Sequence, residues 1–192
     1  MGDIDPKYNI KIPILGNFQT GKTSILYTFT EQEYEEAPID IGRDYISYNY
    51  TYNGETYRVD FWDTNGSEKY GRVTSRVSEC DGGVFVCAYD AEESMEGIHS
   101  YLGNIKYSEK INGVEVEREP PFIVICSKHD LVDSGENAFE EEDFNDFASE
   151  LEGCVGAFGD VDYCNWDAMY KALKTIMDKA IETHLVWYYE RP

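Results

Sequence analysis

Gly16-Asn17-Phe18-Gln19-Thr20-Gly21-Lys22-Thr23 follows an apolar run at residues 10–15 and opens a helix-forming stretch at residues 22–29. The spacing is G-x-x-x-x-G-K-[ST], and strand–loop–helix is the context that gives it meaning. Glycines let the backbone wrap an anion, so that its N–H groups and the helix N-terminus face phosphate oxygens. Lys22 would reach the β- and γ-phosphates of a nucleotide, and the Thr23 hydroxyl would bind Mg²⁺. Together with the adjoining Ser24, these eight residues are the predicted phosphate-binding set. Chance would produce the pattern in roughly one chain in a hundred of this length, and the flanking context lowers that further.

Outward from the loop, strands and helices alternate. Residues 45–52 and 57–62 show period-two patterning and are joined by Asn53-Gly54, a strong hairpin signal. Residues 84–89 and 121–126 are further apolar runs, and residues 92–107, 139–151 and 165 to about 184 are predicted helices. This order predicts an α/β phosphate-loop NTPase fold: a mostly parallel six-stranded sheet with one antiparallel edge strand and helices on both faces. No repeat or Gly/Ser linker divides residues 1–192, so a single domain is expected. Pro13 is awkward in a strand, since central strands seldom accommodate proline. The acidic stretch at residues 133–150 carries Phe139, Phe144 and Phe147, which predict the buried side of an amphipathic helix with its carboxylates in solvent.

The chain has 192 residues, with 16 basic against 38 acidic side chains and a net charge of −22. That balance argues against nucleic acid and against a polybasic hold on anionic lipid. At 42% hydrophobic and 15% aromatic, there is ample material for a core. Cys80, Cys87, Cys126, Cys154 and Cys164 show no metal-type spacing, and reduced thiols in a cytoplasmic, soluble protein are expected.

Two further segments carry chemistry. Asp63-Thr64-Asn65-Gly66 follows a predicted strand; Asp63 can hold Mg²⁺ and Gly66 can offer its N–H to a γ-phosphate. Ser127-Lys128-His129-Asp130 ends another strand. The Asp130 carboxylate can accept from both the N1–H and the 2-amino group of guanine, a donor pair that adenine lacks. Lys128 would lie over the base.

At these residues the chain resembles the Ras superfamily of small GTPases, most closely its Rab branch. Asp40-Ile41-Gly42-Arg43-Asp44-Tyr45 stands against the family's T-I-G-x-D-F, Trp62-Asp63-Thr64-Asn65-Gly66-Ser67-Glu68 against W-D-T-A-G-Q-E, and Ser127-Lys128-His129-Asp130 against N-K-x-D. The resemblance implies GTP or GDP as ligand, with Mg²⁺. It also implies that Tyr34 stacks on guanine, and that residues 31–45 and 64–79 are nucleotide-sensing switches. Through these and the aromatic pair Tyr45 and Trp62, an effector protein would bind.

The departures fall on the reaction centre. Asp40 stands where the family has Thr, and residues 31–46 contain no hydroxyl of Ser or Thr. Asp40 could hold Mg²⁺, yet its charge would repel a γ-phosphate. Ser67 replaces the water-orienting Gln at the one catalytic position, and Phe18 would crowd the space beside it. Ser127 in place of Asn is expected to remove contacts that brace the phosphate loop. The family's later guanine contact has no clear counterpart in residues 159–165. No prenylation cysteine follows Cys164, so no direct membrane anchor is expected unless a natural tail continues past residue 192. The reading is a guanine-nucleotide-binding protein with weak or absent hydrolysis. The alternatives are a pseudo-GTPase scaffold and a conventional Rab-like GTPase completed by a partner.

Overall fold

The computed structural model describes residues 8–33, 40–41, 45–64, 80–103, 105, 107–111, 114–162 and 165–190. Its first half runs β1 (Asn9–Leu15), α1 (Lys22–Glu33), β2 (Asp40–Ile41), β3 (Tyr45–Tyr52), β4 (Glu55–Asp63) and β5 (Gly83–Ala88). Two short helices follow, α2 (Glu92–Glu96) and α3 (Ile98–Leu102), then a separate hairpin of β6 (Tyr107–Ile111) and β7 (Val114–Arg118). The chain continues through β8 (Phe122–Ser127), α4 (Asp130–Ser134), α5 (Glu141–Ser149), β9 (Cys154–Val161) and the long α6 (Trp166–Glu190).

The main sheet has the order β2-β3-β4-β1-β5-β8-β9. Strands β4, β1, β5, β8 and β9 are mutually parallel, and β3 is antiparallel to β4. Leaving aside the two-residue β2, the sheet has six strands, five parallel and one antiparallel, which matches the predicted count. The two-residue β2 extends the antiparallel edge, with Asp40 opposite Ser47. The β3–β4 turn is the predicted Asn53-Gly54, both at positive φ (50° and 84°), as a type I′ turn requires.

Helices cover both faces. On one, Ile25, Leu26 and Phe29 of α1 and the apolar stripe of α6 pack on Ile10, Ile12, Ile14, Val59 and Phe61. On the other, Ile98 and Tyr101 of α3 and Phe144 of α5 pack on Phe85, Cys87, Val124 and Cys126. Phe139 and Phe144 are buried, Phe147 is half-buried, and Glu141, Glu142 and Asp143 are exposed, as the acidic stretch predicted.

Pro13 is accommodated by register. Groups two residues apart on a strand face the same edge. The N–H and C=O of Lys11 bind Asp81 rather than a strand, and pairing of β1 with β5 begins only at Ile14. The missing N–H therefore falls where that ladder has not started.

Two expected helices are corrected, and two elements were not located in advance. The helix predicted over 92–107 is two short helices broken at Gly97, and Tyr107 already belongs to β6. The 139–151 helix is shorter, because Glu140 and Asp143 form a capping box that starts α5 at Glu141. Strand β9 was not foreseen, since Gly156 and Gly159 break its pattern. A Cβ at either would come within 2.9 Å of a neighbouring side chain, so close packing excludes larger residues. The β6–β7 hairpin also went unpredicted, although Asn112-Gly113 repeats the signal used at Asn53-Gly54.

Candidate functional site

The order of strands reverses about β1: the chain builds outward on one side through β4 and on the other through β5. In open parallel sheets the crevice beyond the strand C-termini at such a point is where ligands bind. The loop 16–21 lies there.

Gly16 has φ +150°, and a Cβ on it would stand 2.1 Å from the Val86 carbonyl oxygen, so only glycine fits against β5. Gly21 has φ +82° and Gln19 φ +65°, two left-handed residues that curl the backbone around the loop. The Thr20 hydroxyl donates to the Asn17 carbonyl at 2.9 Å, and the Ile25 N–H bonds the Gly21 carbonyl as α1 begins. Lys22 is 4% exposed. Its ammonium crosses back over the loop and donates to the Gly16 and Asn17 carbonyls at 2.8 and 2.7 Å. The Thr23 hydroxyl donates to Asp63 Oδ2 at 2.5 Å. The Thr64 hydroxyl donates to the Ile14 carbonyl at 2.7 Å, which holds the end of β4 against β1. The loop residues from Phe18 to Ser24, with Lys128, line a cradle of about 560 Å³, and Phe18 is 72% exposed beside it.

A second pocket, of about 150 Å³, is lined by Gly21, Ser24, Thr28, Ser127, Lys128, Asp130, Val161, Asp162 and Met169, among others. It shares Gly21, Ser24 and Lys128 with the cradle, so the two are contiguous. Asp130 opens α4 and is half-exposed. Lys128 has φ +63°, and its ammonium pairs with Asp90 Oδ2 at 2.5 Å.

Ser127 corrects an expectation. Its hydroxyl lies 2.8 Å from the Thr20 carbonyl oxygen and 3.1 Å from that of Cys87, buried between them. It braces the phosphate loop rather than leaving it unsupported. Ile25, Thr28 and Met169 were not foreseen at the pocket, and Val161 and Asp162 fall in the 159–165 stretch, where the family's guanine contact had no clear counterpart in the sequence. Asp162 directly follows β9, at the strand end where such sheets bind ligands, a placement hidden from the sequence because β9 itself was not located. Asn165 then starts α6, its Oδ1 accepting from the Ala168 N–H at 3.2 Å.

Tyr34, Gly66 and Ser67 lie outside the described residues, as does most of 31–45 and 64–79; of Asp40 only the backbone is described. Tyr45 and Trp62, opposite each other on β3 and β4, have ring centroids 4.9 Å apart. Behind them Arg58 donates to Asp60 at 2.8 Å and to Ser47 at 2.8 Å. Among the described residues, no cluster of three His, Cys, Asp or Glu side chains could hold a metal. No described helix is long and apolar enough to cross a membrane. Cys87, Cys126 and Cys154 are thiols without a disulfide, Cys80 is buried, and burial pushes the Cys126 thiol well up.

Residues 11–180 match the Ras family. The chain is 29% identical over 126 residues to the Ras-related protein RabT2 of Dictyostelium discoideum, covering 64% of this chain and 55% of that protein. With RabG2 of the same organism it shares 33% over 86 residues, 44% of this chain and 43% of RabG2. With Rab-7b of Bos taurus the identity is 27% over 130 residues, 66% of this chain and 62% of the relative. The match spans about half the length of the first two relatives.

Proposed function

The chain belongs to the Ras family as a Rab-like small GTPase, and on that premise we propose that it binds GTP and GDP with Mg²⁺, turns GTP over slowly or not at all, and acts as a switch or interaction module. The observation that carries this reading is the contiguity of cradle and pocket: a glycine-bearing loop with a buried lysine on one side, and Asp130 on the other, joined through Gly21, Ser24 and Lys128. Backbone N–H groups, the start of α1 and Lys22 supply local positive potential in a chain of net charge −22. Asp130 selects guanine, because an unpaired carboxylate disfavours adenine.

The Thr23 hydroxyl and the Asp63 carboxylate, already in contact, are hard oxygen donors of the kind Mg²⁺ prefers. They would hold the ion, which when bound supplies positive charge against the β- and γ-phosphates. Slow turnover rests on Ser67 and on Phe18. The Tyr45–Trp62 pair supports an effector surface, proposed to involve residues 31–45, Trp62 and 64–79.

The test is chromatography of nucleotide released from purified protein, with titrations of GTP, GDP and ATP. We expect bound GDP or GTP in the wild type and none in Lys22→Ala or Thr23→Asn. Each hydrogen bond to a charged acceptor contributes about 1.5–3 kcal/mol, so Asp130→Ala should weaken GTP binding about a hundredfold or more. ATP competing as well as GTP would overturn the guanine assignment.

A further inference from the structure

Asn17 is the second residue of the phosphate loop, and both ends of its side-chain amide are held by a segment more than 70 residues away. Its Nδ2 donates to the Glu93 carbonyl of α2 at 3.1 Å. Its Oδ1 accepts from the Tyr101 hydroxyl of α3 at 3.0 Å. Between these contacts lies Gly97, where α2 breaks from α3; a Cβ there would stand 2.8 Å from Asn17 Oδ1 and 3.0 Å from Nδ2. Gly97 has φ −59°, an ordinary helical value. What excludes a larger residue is therefore the amide packed against it, not the backbone.

The same residue fixes the loop from within. The Asn17 carbonyl accepts from Lys22 Nζ at 2.7 Å and from the Thr20 hydroxyl at 2.9 Å. One residue thus joins the internal bonds of the loop to α2–α3. Tyr101 is itself buried against the second core cluster, so its hydroxyl is a firm anchor.

We propose that Asn17, clasped by the Glu93 carbonyl and the Tyr101 hydroxyl across Gly97, is a positioning residue that holds the phosphate loop in its binding shape, so that nucleotide residence time is set in part by α2–α3. The proposal rests on the nucleotide-binding reading above and adds to it the element that controls the loop. Tyr101→Phe removes one bond while keeping the packed ring. Gly97→Ala keeps the helical backbone and presses a methyl group on the amide. Asn17→Ala removes the clasp but leaves the carbonyl.

Two measurements test it: release of a fluorescent GDP analogue chased with excess GDP, and amide hydrogen exchange at residues 16–21. In each variant release should quicken about fivefold, and exchange should quicken at residues 16–21 while β8 stays protected. Release at the wild-type rate in Tyr101→Phe and Asn17→Ala would overturn the proposal. So would exchange that quickens evenly across the whole chain, which marks a merely structural role. Failure of the wild type to bind any guanine nucleotide would instead refute the site reading, and the exchange comparison would then decide the clasp alone.

Discussion

Serine at position 67 is too short to orient a water as glutamine does in the family, and Phe18 brings an exposed ring to the loop where a small residue is usual. Both features are legible in the sequence, because they are substitutions within contiguous motifs. If they limit turnover together, Phe18→Gly combined with Ser67→Gln should raise single-turnover GTP hydrolysis at least about tenfold. A wild-type rate equal to that of the double variant would remove the basis for a crippled site. Other residues resist such reading. Ser127 looks like a loss when compared with asparagine, yet its hydroxyl bridges the Thr20 and Cys87 carbonyls. Lys128 is paired with Asp90, which no motif singles out. A side chain's partner depends on what the fold brings within 3 Å, and residue type alone does not contain that.

The clearest match between elements is that of β3 with α6. Alternate strand residues rise about 6.6 Å per pair and helix residues four apart about 6 Å, so two periods run side by side. Tyr50 donates to Asp178 at 2.6 Å and accepts from Lys174 at 3.0 Å, while Tyr52 donates to Glu182 at 2.8 Å. Burial and the Asp178 carboxylate push the Tyr50 phenol up to about 12. A raised folded pKa favours the neutral phenol in the native state. Its stabilisation is complete below pH 10 and is lost as pH rises through about 12. Tyr50→Phe should therefore flatten the fall in stability across pH 10–12, as measured by urea unfolding. An unchanged alkaline limb would show that Tyr50 is not the group responsible. At this scale the sequence was a good guide where hydrophobic period and turn chemistry agreed, as in β1, the β3–β4 hairpin and α6. It failed at β9, where glycines required by close packing erase the period, and at 92–107, where Gly97 ends α2 in order to admit Asn17.

Across the whole molecule, the far end of α6 is tied to the centre of the sheet. His184 Nδ1 lies 2.7 Å from Asp81 Oδ1, both buried, and Asp81 Oδ2 accepts from the Lys11 N–H of β1 at 2.9 Å. Removing one partner of a buried pair leaves the other poorly compensated. His184→Ala should cost about 3 kcal/mol, read as a lower urea midpoint with unchanged slope. A shift under about 0.5 kcal/mol would place the pair among surface-type contacts. The charge of −22 spreads over exposed faces such as α5, whereas the cradle gathers lysine and backbone N–H groups. By itself the sequence determined the phosphate-loop motif, the alternating α/β order and the candidate position of Asp130, because each is written in neighbouring residues whose local conformations carry the meaning. The tertiary structure alone decided that the pocket closes with Val161 and Asp162, that Ser127 supports the loop, and that Asn17 is held by α2–α3. The hydrogen bonds among them join residues as far as 107 positions apart. Only the order and register of strands about β1 brings them together.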